Sequence, residues 1–256
     1  MFLSKKLNKY WFIFQYYHKL ETRYFWTNLF YFIGLSIAIY TNFWVWQINQ
    51  KDTSILKELI LAAVFFALSN STIYWHIGRG VESGSMSKDL LTPTNLFTKY
   101  FLTNLGWLPS TSFYYFISLT PLILISGIGF SWQMLLIPLL IIAPFLVRFL
   151  IGCAIGFSAF WSTQTYGQVV FYQSFLPLLI GALIPVRFFP SWFQQVLIYS
   201  PFSWIIYHPM QIYQGNYNSG QILLFSTIGL IWMFLLFIIA RRILQLGLKR
   251  NEAVGL

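Results

Sequence analysis

Between Lys99 and Arg148 no residue carries a formal charge. A hydrocarbon core about 30 Å thick is crossed by about 20 apolar helical residues, so this run is too long for one crossing and suits two joined by a tight turn. Ser126-Gly127-Ile128-Gly129 has the composition of that turn. A soluble domain has nowhere to put two such segments. The rest of the chain agrees: 57% of its residues are hydrophobic, 21% aromatic and only 9% charged, far below the usual charged share of about a quarter. The sequence predicts an all-α integral membrane protein with about six transmembrane helices joined by short loops.

Taken in order, the expected spans cover 24–47, 59–77, 100–125, 132–160, 167–184 and 221–240. Ahead of them, Leu3, Leu7, Tyr10, Trp11, Phe14 and Tyr17 recur at helical spacing. Lys5, Lys6, Lys9, Gln15, His18 and Lys19 take the other side. Residues 1–23 therefore read as an interfacial helix that stays attached and lies along the membrane surface. Trp44 and Trp46 suit an aromatic belt at the far end of the first span. Thr92 before Pro93 has the look of a helix start. Region 185–219 is apolar yet interrupted by Pro185, Pro190, Pro201 and Pro209, which predicts short re-entrant or interfacial helices on the outer side rather than a crossing.

Orientation follows from the basic residues. With the N-terminus inside, twelve of the 16 Lys and Arg face the cytoplasm, three (Lys51, Lys57, Arg187) face outward, and Arg148 falls within a span. Both termini are thus expected to be cytoplasmic. The net charge of +10 points to anionic membrane lipids rather than nucleic acid.

One long polar stretch, IGRGVESGSMSKDLLTPTN over 77–95, interrupts the apolar pattern of the central chain. Its charges and backbone cannot lie in hydrocarbon, so it faces water. Arg148 inside the fourth span needs a partner or water. It either lines a transport path, with Gln168 and Gln173 nearby in the fifth span, or serves helix pairing. Gly152 and Gly156 form a GxxxG spacing that permits close helix approach, within the chain or between two chains. His76 and His208 are isolated and suggest structural roles, with no metal site. Cys153 is the only cysteine, so no internal disulfide forms.

The sequence contains no Gly-Lys pair, hence no phosphate-binding loop of the GxxxxGK[ST] kind. Glu21, Asp52, Glu58, Glu82, Asp89 and Glu252, the only carboxylates, all lie outside the expected spans. That pattern disfavours an ion-coupled carrier, and equally an intramembrane lipid-modifying enzyme, both of which place acidic groups in or beside the membrane. A carrier or channel driven without ATP stays open as the alternative to an externally powered permease.

The residues also carry a resemblance. Gly78 followed by Asp89-Leu90-Leu91 and Pro93, then IPVRFFPSW and SPFSWIIYHPMQIYQG before the last span, are similar to the membrane permeases of ABC-2 type ATP-binding-cassette exporters. The resemblance spans nearly the whole length and implies a single transmembrane domain over 1–256. Within it, 1–23 would be the interfacial helix, 78–99 the cytoplasmic coupling loop and 185–219 the outer re-entrant region. It further implies a coupling set of Gly78, Arg79, Lys88, Asp89, Leu90, Leu91 and Pro93 that contacts separate ABC ATPase subunits. ATP and Mg would bind those subunits, with no cofactor and no catalytic residue on this chain. A second permease chain, identical or related, and a place in the inner (cytoplasmic) membrane complete the expectation. Arg79-Gly80 and Thr92 depart from the residues common at those positions in the family.

Overall fold

The computed structural model describes residues 2–23, 25–49, 53–92, 94–129, 136, 138–162 and 164–253. Every regular element among them is helical: α1 Phe2–Arg23, α2 Phe25–Asn49, α3 Thr53–Leu68, α4 Ile73–Glu82, α5 Met86–Leu90, α6 Leu96–Ser126, α7 Ala143–Phe157, α8 Tyr166–Leu179, α9 Ser191–Tyr199, α10 Tyr207–Tyr213 and α11 Ser219–Ala253. Pro93, Tyr24 and residues 130–135, where the first span, the fourth span and the expected helix start were placed in part, lie outside the described residues.

Among the described residues three helices can cross a membrane by length and composition: Leu96–Ser126, Leu139–Trp161 and Ser219–Arg250. A fourth crossing arises if the bent pair Ser54–Leu68 and Ile73–Glu82 counts as one. In α2 the apolar stretch is shorter, Phe32–Ile48. α8 has 14 residues and stops at Leu179 rather than continuing to 184; at 1.5 Å per residue it reaches about 21 Å, short of a full core. Pro177 and the turn at Gly181, whose φ of +79° suits glycine, end it.

The second expected span is not one helix. Four consecutive polar residues, Ser69 to Thr72, separate α3 from α4, and the two axes bend by 42°. α6 by contrast runs unbroken through Pro109 and Pro121. Thr111 donates to the Trp107 and Leu108 carbonyls at 3.2 and 3.1 Å, and Thr120 donates to Phe116 at 2.7 Å; such hydroxyls supply donors around prolines in apolar surroundings. Its start is set by Asn95, whose side chain accepts the Phe97 N–H at 2.9 Å. Asn95, not Thr92, is therefore the N-cap; Thr92 instead closes the end of α5 by donating to the Asp89 carbonyl at 2.6 Å. Gly127, in the left-handed region at φ +65°, ends α6 where the turn was expected.

α1 packs on α6. A Cβ on Gly106 would sit 2.9 Å from the Phe14 carbonyl oxygen, so only glycine lets the two helices come this close. His18, expected on the polar side, turns inward and its Nδ1 lies 3.2 Å from the Gly106 carbonyl, beside the close contact of α1 with α6.

α11 runs for 35 residues, past Arg241 and Arg242 where the last span was expected to end. It starts on a reciprocal cap: Asn218 accepts the Gln221 N–H at 2.8 Å and Gln221 accepts the Asn218 N–H at 3.1 Å. Two apolar clusters hold the helices together. One joins Phe65, Val147, Trp204, Ile205, Ile206 and Ile212. The other joins Ile73, Ile77, Met86, Tyr100, Phe157 and Leu244 beside the polar segment. At the opposite end Arg187 pairs with Glu58 at 3.5 Å and the Trp46 ring packs on the Phe188 ring, centroids 5.1 Å apart, tying region 185–219 to α2 and α3.

Candidate functional site

The polar segment folds into two short helices with opposed faces. α4 carries it as far as Glu82, and Ser83 closes that helix by donating to the Arg79 carbonyl through its hydroxyl at 2.7 Å. Gly84, at φ +70°, makes the turn into α5. α5 is then held from beneath. Met86 is buried in the apolar cluster with Ile73, Ile77 and Tyr100, and Asp89 accepts Lys99 Nζ at 2.7 Å and the Tyr100 hydroxyl at 3.1 Å. With those two residues facing inward, Lys88, Leu90 and Leu91 face outward, Leu91 at 86% exposure. Arg79 is also exposed, its guanidinium 5.5 Å from the centre of the Trp75 ring.

The expected coupling residues thus divide. Arg79, Lys88, Leu90 and Leu91 are each exposed; Asp89 braces α5 from behind. Gly78 is buried, and a Cβ there would sit 2.6 Å from Thr165 Oγ1. Thr165 is the position at which α8 begins, and it makes a contact that sequence reasoning missed. Its backbone N–H and its hydroxyl both donate to Glu82 Oε1. The two donors, the hydroxyl foremost, hold the Glu82 carboxyl below the usual carboxylate range, and nearby Arg79 adds to the effect. Glu82 and Thr165 stand 83 residues apart, and no local pattern announces the pair.

Arg148 is 3% exposed and meets neutral oxygen rather than a carboxylate. Its guanidinium donates to the Phe66 carbonyl at 3.0 Å, to Ser69 Oγ at 3.5 Å and to Asn70 Oδ1 at 3.4 Å, and lies 4.3 Å from the centre of the Phe66 ring. These acceptors sit at the carboxyl end of α3 and in the break that follows. The last carbonyls of a helix have no partner within it and carry the negative end of its dipole. A fixed cation placed there satisfies both. On the other side of the break, Ser71 donates to Asn104 Oδ1 at 3.3 Å and Ser112 donates to the Ala67 carbonyl at 3.3 Å. Arg148 is therefore placed to pin a bend in a helix pair.

Gln168 and Gln173 do not join it. Ser158 donates to Gln168 Oε1 at 2.5 Å, and Gln173 donates to the Tyr74 hydroxyl at 3.0 Å. Between them on α8, Tyr172 lies beside Arg148 and faces the Tyr74 ring at 5.6 Å. The wall made by Gln168, Phe171, Tyr172 and Phe175, with Ile155 and Phe202, lines an open-sided cavity of about 620 Å³, with Gln168, Phe171 and Phe175 exposed at its mouth. A second hollow, about 200 Å³ and lined mainly by apolar side chains of α2, α3 and α6, includes Asn42 and Phe66.

Gly152 and Gly156 face α4. A Cβ on Gly152 would come 2.9 Å from Ile73 Cγ2, and one on Gly156 would come 2.7 Å from Ile77 Cβ. Both glycines serve packing within this chain. His76 is enclosed by the rings of Tyr17, Tyr100 and Trp107. His208 uses both ring nitrogens, at 2.9 Å from the Ile198 carbonyl and 2.9 Å from the Tyr217 hydroxyl. Since a carbonyl only accepts, Nε2 carries the proton and Nδ1 accepts from Tyr217. Among the described residues no group of three or more His, Cys, Asp or Glu side chains comes together.

No curated protein and no solved structure matches the chain significantly. A family model for ABC-2 family transporter proteins matches residues 30–255, from within α2 to beyond the end of α11. With apolar helices long enough to cross a bilayer, the chain is a multi-pass membrane protein and belongs to the ABC-2 family of transporter proteins.

Proposed function

We propose that this chain is the permease subunit of an ABC exporter, moving its substrate across the cytoplasmic membrane with ATP hydrolysed on separate ATPase subunits. The observation that carries the reading is the build of the polar segment. Met86 and Asp89 anchor α5 from below, so Lys88, Leu90 and Leu91 stand out from it as a small knob, and Arg79 on α4 is exposed as well. A rigid knob of this kind suits a groove with apolar walls and acidic edges, and an anchored helix transmits a push that a loose loop would absorb. ATP and Mg belong to the ATPase, and this chain supplies the surface they act on.

The excess of basic residues in the polar segment and near both termini supports a cytoplasmic location for all three. Six crossings per chain, with α2 as the first and α8 plus its following turn as the fifth, leave a path to be formed between two permease chains, identical or related. Region 185–219, tied down by the Arg187–Glu58 pair, caps the outer side.

The test is purification of the tagged chain from its native membranes, with and without Lys88→Pro. Proline at 88 removes the N–H that bonds the Ser85 carbonyl at 3.1 Å and unwinds α5 without touching the spans. The expected result is an ATPase that co-purifies with the parent chain and is lost or no longer stimulated with the variant. Transport by this chain reconstituted alone, or a label at Ser85 reached from outside intact cells, would overturn the proposal.

A further inference from the structure

We propose that Glu82 is a positioning residue that links the ATPase-docking segment to α8, so that motion of the segment is delivered to the wall of the 620 Å³ cavity. The inference rests on the docking reading above. Glu82 is the last residue of α4, and one oxygen of its carboxylate takes both donors of Thr165, the residue from which α8 starts. Hydrogen bonds to an ionised carboxylate are stronger than neutral ones, and the amino end of α8 favours negative charge. One turn earlier on α4, Gly78 brings the helix backbone against the same threonine with no side chain between. α4 thus grips the start of α8 at two successive turns.

α8 is suited to move as a unit. It is short, with 14 residues. Gly181, at φ +79°, forms the turn just beyond its end. A short rigid element gripped at one end and turning at the other converts a small displacement into a shift of the whole. The residues that shift with it are Gln168, Phe171, Tyr172 and Phe175, which line the cavity. The other brace of the docking segment, Asp89 with Lys99 and Tyr100, leads to α6 instead. The structure therefore offers two separable routes out of the segment, and Glu82 serves the one that reaches the cavity.

The experiment uses the complex purified through a tag on this chain, with spin labels on cysteines introduced at Gly167 and at Gln245, an exposed position of α11. The distance between labels is measured without nucleotide and with Mg-ATP and vanadate. The expected result is a nucleotide-induced shift in the parent complex that is lost in Glu82→Ala and kept in Thr165→Ser, which retains both donors. Co-purification of the ATPase and its basal hydrolysis should stay within about twofold, a separation that a merely structural role for Glu82 would not produce. Glu82→Ala with the parent shift, or a parent complex with no shift, overturns the proposal. Absence of any ATPase from the parent preparation overturns the docking reading instead, and so tells the two failures apart.

Discussion

Replacing Arg148 by methionine tests whether the guanidinium holds the α3–α4 bend. Methionine keeps most of the unbranched stem, so the change chiefly removes the charged head. Losing it leaves the Phe66 carbonyl only the longer bond from the Ser69 hydroxyl, at 3.3 Å, and removes a charge-assisted bond worth about 2 kcal/mol. The two longer bonds to Ser69 and Asn70 add about 1 kcal/mol together, and the desolvated contact with the Phe66 ring adds about 2 kcal/mol. Against this, the variant no longer carries a charge into the membrane interior, a saving of about 3 kcal/mol. The balance is a loss of about 2 kcal/mol, which for a protein of this size corresponds to a melting temperature lower by about 4–8 °C. Thermal unfolding of the purified chain in detergent, followed by tryptophan fluorescence, measures it. Arg148→Lys should also destabilise, because an ammonium group lacks the planar fork that reaches several acceptors at once. A methionine variant as stable as the parent, or more stable, would refute the reasoning. The carbonyls of the break would then not depend on the cation, and Arg148 would be left as a charge serving a transport path.

Gly156→Ala should overpack the α4–α7 contact, since the new Cβ would lie 2.7 Å from Ile77 Cβ and 3.3 Å from Tyr74 Cα; a loss of about 1–3 kcal/mol is expected in the same melting assay, and an unchanged melting point would count against the helix contact. Lys99→Met removes the ammonium partner of Asp89 and leaves it only the Tyr100 hydroxyl, so α5 should lift from its support and trypsin should cut after Lys88 several-fold faster, read by gel; an unchanged rate would mean that Met86 and the Tyr100–Asp89 bond suffice to hold α5. Burial pushes the His208 imidazole down to about 4 from an ordinary 6.5, against the opposing pull of the Ile198 carbonyl. Because the folded state binds the proton less readily than the unfolded one, this contribution to stability is present above pH 6.5 and lost as the pH falls towards 4. His208→Gln should flatten that part of the profile, and a parent profile already flat between pH 6.5 and 4 would refute the assignment.

Several features were legible because they depend on short-range chemistry. The charge-free run after Lys99 announced helices α6 and α7, and Ser126-Gly127 announced the turn between the helices. The prolines of 185–219 announced short helices, since a ring without an N–H breaks the ladder wherever it falls. The break between α3 and α4 was also written locally, in the polar run Ser69 to Thr72, but the flanking apolar residues masked it when only hydrophobic length was weighed. Asn95 was the better helix cap by residue type, and Pro93 drew attention from it. The need of Arg148 for a partner or water was legible from its place in an apolar run, but its partners, carbonyl, hydroxyl and amide oxygens at that same break, were not.

What the sequence by itself determined is the class of environment and the family. Apolar length, charge placement and turn residues act over one or two helical turns, so they are readable without knowing what packs on what. What only the tertiary structure decided is which residues meet. Glu82 and Thr165, or Arg148 and Phe66, lie about 80 residues apart in the chain. Their encounter depends on the bend between α3 and α4 and on glycines that let helices approach, because a hydrogen bond is decided within a few tenths of an ångström while a hydrophobic pattern fixes a helix only to within a face.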